Sequence, residues 1–286
     1  MALENNMEQL PDRSSEEDQS IEGREKEPGF KDLVLFTTTM YGADDVSKVR
    51  EALAVRFLEN AEQLGVRCVV VDGGSNPKFL EKISTFKNVT VEVDPSLGMG
   101  ESRREALKKA IALSGPEDNY LWVEPEKSNL ITKESLDAMI GGLRAGQTDI
   151  VVPRRRSMES MPKFQAWIER RANQRAGDLM NENEQAPSSE ALDLWFGPKM
   201  FNREGAKFFA EYKGDLDKWD SIIKPVVEAA QAGERISSVD VDYAYDPSQS
   251  ESEAVDRKMK EKRVIQYKQI LGELGDKFWK REKQIP

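Results

Sequence analysis

The sequence contains no histidine. That excludes Ser-His-Asp and Cys-His machinery and any histidine-ligated zinc. A general base must then be Asp, Glu, Lys, Tyr or cysteine. Cys68 is the single cysteine, so no intrachain disulfide and no cysteine-rich metal site can form. It lies in the apolar run VRCVVVD, where a small buried residue is a better reading than a reactive thiol. A reducing compartment is compatible with this. No apolar stretch reaches the roughly 18 residues that a membrane-spanning helix needs. The N-terminus is acidic and lacks the apolar core of a secretory signal. These absences lead us to expect no membrane insertion and a cytoplasmic location.

What is present is charge. Of 286 residues, 33% are charged and 38% hydrophobic, and 42 basic residues against 52 acidic ones give a net charge of -10. The chain can build a core, but part of its length is too polar to join one. An acidic chain is a poor generic binder of nucleic acid or anionic membrane, although a local basic face can still hold phosphate.

Residues 1–30 carry nine acidic residues against three basic ones and few apolar ones, which predicts a disordered acidic tail. Residues 31–250 read as one domain, and 251–286 as a C-terminal helix packed on it. The domain opens with a short strand, Leu33 to Phe36, and a Thr-rich turn. Asp44 or Asp45 caps a helix to about Leu64 with Val49, Leu53, Phe57 and Leu58 on one face, and Gly65 ends it. VRCVVVD, VTVEV (89–93), NYLWVEP and the segment from Asp149 to Val152 read as further strands, with helices after Pro77, after SLGMG and over about 133–145. Later come a helix from Pro162 with Phe164, Trp167, Ile168 and Leu179 as core contacts, a polar loop, and a strand or turn into a helix. A helix near 222–232, the strand ISSVDVDYAYD, and a charged helix over about 253–280 follow. Val264, Tyr267, Ile270, Leu271 and Leu274 lie at helical spacing in that last helix.

Solid apolar strands alternating with helices predict an α/β fold: a mostly parallel sheet flanked by helices, Rossmann-like. Such sheets bind ligands at the carboxyl ends of their strands. That selects the turn after Phe36, including Thr37, then Asp72 to Ser75, Glu124 to Lys127, and Pro153 to Arg156.

Glu124 and Glu126 are two apart around Pro125, so in extended backbone both carboxylates face one way and could share a divalent ion. Lys127 would compete for them, and a solvated strand end is the plainer reading. Asp72, before two glycines and Ser75, could accept hydrogen bonds from a nucleobase, or it could simply shape a turn. Gly98, Gly100, Ser102 and Arg103 sit where a loop feeds a helix N-terminus, which suits a diphosphate; an ordinary turn is the alternative. Arg154, Arg155, Arg156, Lys163, Arg170, Arg171 and Arg175 face only Glu159 and Glu169 over 154–175. At least one of the arginine triple is expected to grip a phosphate, while the last three suit a solvated helix face. Asp217 and Asp220 flank Trp219 and are either carboxylate bases or helix caps. Trp195 and Phe196 suit a core better than a stacking platform.

The order of VVVDGGSNPKFL, SLGMGESRREALKKAI, NYLWVEPEKSNLI, TDIVVPRRR, ALDLWFGPKMFNREGAKFF and DKWDSIIKPVVEAAQAGERISSVDVDYAYD resembles a GT-A nucleotide-diphospho-sugar transferase. Family 2 glycosyltransferases are most similar, the dolichyl-phosphate hexose synthases above all. The resemblance spans about Leu33 to Tyr245. EPEK stands where that family carries Asp-x-Asp. The resemblance implies a nucleotide-activated small-molecule donor held by Thr37, Asp72, Ser75, Gly98, Gly100, Arg103, Lys127 and Arg154 to Arg156. It implies a manganese or magnesium ion on Glu124 and Glu126. It also implies an acceptor near Asp193, with catalytic carboxylates among Glu124, Glu126, Asp193, Asp217 and Asp220; the lack of an apolar anchor favours a small soluble acceptor over a polyprenol. The departure at EPEK leaves two alternatives: a lysine in the metal's role, or loss of sugar transfer.

Three functions compete. The first is soluble glycosyl transfer from a nucleotide sugar. The second, suggested by EPEK and the arginine-rich face, is similar to the fungal arginine-containing cyclodipeptide synthases, which join aminoacyl groups carried on tRNA; a tRNA user should show steep salt dependence. The third is an inactive binding protein. The tail makes its own prediction. Deleting residues 1–30 should leave activity and melting temperature unchanged, and a collapse of either would show that the tail contributes to the fold.

Overall fold

The computed structural model describes residues 30–145, 148–181, 192–214, 216–255 and 259–270. The tail expected over 1–30 lies, apart from Phe30, outside the described residues, as do Leu271 and Leu274 of the last helix. The elements in chain order are β1 (Leu33–Thr39), α1 (Asp45–Gln63), β2 (Arg67–Asp72), α2 (Pro77–Ile83), β3 (Val89–Val93), α3 (Met99–Ala112), β4 (Asn119–Trp122) and α4 (Lys133–Ala145). Then follow β5 (Ile150–Arg155), α5 (Lys163–Asn181), β6 (Lys199–Phe201), α6 (Arg203–Ala210), α7 (Lys224–Gln231), β7 (Ile236–Val241) and α8 (Pro247–Val255). A further helix, α9, covers 259–270.

The strands form one sheet in the order β3-β2-β1-β4-β6-β5-β7, parallel except for β6, which pairs antiparallel with β4 and β5. The α/β expectation therefore holds, with one strand reversed. Alternation splits the buried residues between the two faces. Val34, Phe36, Val69, Val71, Tyr120 and Trp122 join the core on one face. Leu33, Leu35, Cys68, Val70, Leu121 and Val123 join the core on the other. Cys68 is buried, and burial pushes its thiol pKa up.

Two local expectations are corrected. β1 does not stop at Phe36; its three threonines stay in the strand. Thr37 donates to the Val123 carbonyl at 2.7 Å and Thr39 to Asp72 at 2.6 Å, so both hydroxyls are satisfied inside the sheet. In α5 the aromatic pair turns outward: Phe164 is 36% exposed and Trp167 52%, stacked on each other. Ile168, Ala172, Ala176 and Met180 make the buried stripe instead, four residues apart, with two alanines that permit close packing.

Arg155 ends β5 and is buried, contrary to its expected place at a ligand. Its guanidinium grips Asp193 at 2.7 and 2.8 Å and pairs with Glu169 of α5 at 2.8 Å. Asn173 adds a hydrogen bond to Asp193 at 2.6 Å. Burial raises the Asp193 pKa, but Arg155 and Asn173 outweigh it and hold the carboxyl below its ordinary range. The cluster ties β5, α5 and the turn before β6 together. Arg155→Ala leaves two buried carboxylates without their cation and should cost about 3–5 kcal/mol in urea denaturation. Because the folded pKa of Asp193 lies below its unfolded value of about 3.9, its contribution is present above that pH and lost as the pH falls through the folded value. Wild-type stability for Arg155→Ala would show the cluster to be dispensable.

Candidate functional site

β1, β2 and β4 run parallel and end on one edge, and the strand order reverses between β1 and β4. A parallel sheet leaves its ligand crevice at such a switch point. A cleft of ≈ 310 Å³ opens there. Its walls are Thr38 to Tyr41 from β1, Gly73 after β2, Ser102 and Arg103 of α3, Glu124 to Lys127 after β4, and Trp219. Arg50 of α1, Tyr245, Gln249 and Glu253 around α8, and Lys262, Arg263 and Gln266 of α9 complete it. Three of the four expected strand ends meet here, and the Pro153–Arg156 end does not.

Glu124 is half-buried. Its carboxylate accepts from Lys127 Nζ at 3.0 Å. Burial raises its pKa, but Lys127 and Arg103 outweigh that and hold it below the usual carboxylate range. Arg103 lies 5.1 Å over the Trp122 ring and donates to the Lys218 carbonyl at 2.5 Å and Ser221 Oγ at 2.9 Å, while its Nε has no partner. Glu126 faces the other way around: Tyr41 Oη is 3.4 Å and Arg50 Nε 4.0 Å from its Oε1. Behind Glu124 lies Lys199, fully buried, donating to the Leu194 and Gly197 carbonyls at 3.1 and 3.0 Å. Burial pushes its pKa down to about 7, against the pull of Glu124 and Asp193.

The other candidates are engaged elsewhere. Asp72 is buried and accepts four hydrogen bonds: Gly74 N at 2.8 Å, Ser75 N at 2.7 Å, Ser75 Oγ at 2.5 Å and Thr39 Oγ1 at 2.6 Å. It closes a turn whose Gly74 has φ 100°, and only Gly73 of that turn reaches the cleft. Gly98 is the N-cap of α3, and the Gly100 amide donates to the Asp217 carbonyl at 2.9 Å. A Cβ on Gly100 would collide with Asp217, so that helix end is closed by protein. Asp217 pairs bidentately with Arg104. Asp220 is buried and accepts from Tyr212 Oη at 2.5 Å and Lys218 N at 2.8 Å. Arg154 pairs with Asp240 at 2.6 Å and Arg156 with Asp242 at 2.7 Å. Asp193 belongs to the Arg155 cluster.

Sequence reasoning missed Arg50, Glu253, Lys262, Arg263 and Gln266. One signal was present: Arg263 and Gln266 share the helical stripe of Ile270, spaced three and seven apart. Charged residues on an apolar stripe need a buried counterpart, and Glu253 is that counterpart for Arg263, at 3.7 Å.

A divalent ion needs converging oxygen ligands. Among the described residues no three of His, Cys, Asp and Glu gather that could hold one. Glu124 and Glu126 are met by different cations. The acidic pair as it stands does not form a ready metal site, and an entering ion would compete with Lys127 for Glu124.

No protein-family model matches the chain, and no curated protein matches it. Solved structures do. Glucosyl-3-phosphoglycerate synthase from Mycobacterium tuberculosis with Mg2+ and uridine-diphosphate is 14% identical, over 84% of this chain and 79% of that one, with a TM-score of 0.54. The same enzyme with Mn2+, uridine-diphosphate-glucose and phosphoglyceric acid is 13% identical over 84% and 79%, at 0.53. With Mn2+, uridine-diphosphate and phosphoglyceric acid the values are 15%, 84%, 78% and 0.52. At this identity the likeness establishes the fold: the chain has the GT-A fold of glycosyltransferases. No helix among the described residues is long and apolar enough to cross a membrane.

The Asp72 geometry yields a prediction. Asp72→Ala removes a carboxylate that satisfies two backbone amides, and should cost about 3 kcal/mol of stability by urea denaturation. Any nucleotide affinity that the wild type shows should stay unchanged in the folded variant. A stable variant with weakened nucleotide binding would restore Asp72 to the ligand.

Proposed function

We propose that the chain is a transferase that moves a glycosyl unit from a nucleotide-activated sugar to a small acceptor. One observation carries this reading. In a protein of net charge -10, the switch-point cleft is lined by five basic side chains (Arg50, Arg103, Lys127, Lys262, Arg263) and three acidic ones (Glu124, Glu126, Glu253). The excess of two positive charges suits an anionic ligand. The likeness to enzymes solved with uridine-diphosphate-glucose supports a nucleotide sugar.

In this reading Arg103 and Lys127 meet the donor's diphosphate and stabilise the charge that develops on it. Glu126 takes the proton of the acceptor hydroxyl. The acceptor oxygen bonds to the sugar's anomeric carbon as the bond to the phosphate oxygen breaks, and the nucleoside diphosphate leaves. Glu126 is favoured over Glu124 because its partners are distant, at 3.4 and 4.0 Å, whereas Lys127 holds Glu124 at 3.0 Å. The ion-paired Asp193 and Asp217 and the hydrogen-bonded Asp220 hold structure in this scheme. A manganese or magnesium ion of the kind present in the solved neighbours would have to arrive with the donor and displace a cation from one of the two glutamates. No helix among the described residues could cross a membrane, and a small soluble acceptor and a cytoplasmic location complete the proposal. The tRNA-dependent alternative loses its main support, since Arg154, Arg155 and Arg156 each have an acidic partner.

Thermal shift and calorimetry with uridine and guanosine diphosphates and their sugars, with manganese and with chelator, test this reading. Glu126→Gln should lower turnover by about 100-fold or more while donor binding persists. Undiminished turnover in that variant removes Glu126 from catalysis. Donor binding with no turnover by the wild type would make the chain a binding protein. No binding across the panel would end the nucleotide-sugar reading.

A further inference from the structure

The cations of the cleft fall into two groups with different partners. Lys127 and Arg103 act on Glu124, at the end of β4. Arg50, Lys262 and Arg263 gather around Glu253 and Glu126, on the side built by α1, α8 and α9. Arg50 Nη2 is 3.3 Å and Arg263 Nη2 3.7 Å from the Glu253 carboxylate. That carboxylate already accepts from Tyr245 Oη at 2.9 Å and Gln249 at 3.0 Å. Glu253 is 5% exposed, so its capacity is nearly filled. Arg263 also faces Glu169, which Arg155 already holds at 2.8 Å, so the acids on this side are shared among several cations.

The unfilled donors are visible atom by atom. Arg50 Nε and Arg263 Nε are buried with no hydrogen-bond partner. Lys262 Nζ lies 6.0 Å over the Trp219 ring. Burial, with Arg50 and Arg263 close by, pushes the Lys262 pKa down to about 8. Buried cationic N–H donors without partners beside an open cleft favour an external anion.

We infer that Arg50, Lys262 and Arg263 form a second anion subsite, separate from the diphosphate position, which binds a phosphate or carboxylate carried by the acceptor. The assignment of this anion to the acceptor rests on the transferase reading; the subsite itself does not. The acceptor class is therefore a small hydroxy compound bearing an anionic group. Its hydroxyl comes to Glu126, which Arg50 already contacts from this side of the cleft. Specificity follows from charge: an uncharged acceptor leaves the two buried Nε donors unpaired and is discriminated against.

The test uses full-length protein, inorganic phosphate and malonate as probes, and saturating uridine diphosphate to fill the donor position. Phosphate or malonate should still bind the diphosphate-saturated protein by calorimetry, and the tighter of the two names the anion. Lys262→Gln should weaken that binding about tenfold or more, the size of a lost charge-assisted contact, while Lys127→Gln changes it by less than about twofold. Lys262 donates no hydrogen bond to the fold in the described structure, so the variant should stay folded, as circular dichroism will verify. Loss of all anion binding once uridine diphosphate is present overturns the proposal, and so does binding indifferent to Lys262→Gln. If uridine diphosphate does not bind, the nucleotide-sugar reading falls by itself. The same two variants, titrated without nucleotide, then still decide the subsite: sensitivity to Lys262→Gln alone upholds it, and equal or greater sensitivity to Lys127→Gln overturns it.

Discussion

The carboxylate of Glu124 is the charge around which the ligand edge of the sheet is arranged. It stands just past β4, half-buried, where a lone anion would be costly. Lys127 reaches it from the next turn, and Arg103 approaches from α3, its guanidinium laid over Trp122. On its far side is Gly197, with φ 103°, so close that any Cβ there would collide with the carboxylate. The turn made by that glycine presents the carbonyl that Lys199 Nζ uses, and Lys199 begins β6. One acid thus connects β4, α3 and the reversed strand between β4 and β5. Without it three cations would crowd a low-dielectric corner with too little to hold them.

Much of this architecture could be read from the chain. The unbroken apolar runs around β1, β2 and β4 gave a buried parallel sheet, and Asp44 and Asn76 cap the helices that follow β1 and β2. The rule of carboxyl ends led to EPEK, which does line the cleft. What could not be read was pairing. β6 is three residues, Lys-Met-Phe, and nothing local fixes the direction in which so short an apolar run lies. Arg154 and Arg156 looked like unopposed charge because Asp240 and Asp242 are 86 residues away in sequence; the β5–β7 register sets Arg154 beside Asp240. Asp193 and Asp217 looked available for the same reason, their arginines lying 38 and 113 residues away, whereas Asp72 and Asp220 are met mostly by neighbours in the chain. A sequence displays which residues carry charge, and only the fold displays which of those charges are already neutralised.

The same principle bears on how a metal-poor cleft would handle an anionic ligand. A divalent ion is loaded and lost, whereas Arg50, Arg103, Lys127, Lys262 and Arg263 are fixed in the chain. Fixed cations need counter-ions when no ligand is present, and Glu124, Glu126 and Glu253 fill that role from inside. A ligand's phosphate or carboxylate must therefore compete with these glutamates, which lowers the net gain of binding relative to a cleft without acids. The competition has a chemical use. An anion on Arg50 would compete with Glu126, whose carboxylate lies 4.0 Å from that guanidinium, and would loosen the contact that now engages the glutamate. Attraction of a ligand and the release of a carboxylate beside it are thereby linked through one arginine, in a chain that has no histidine to serve as a base.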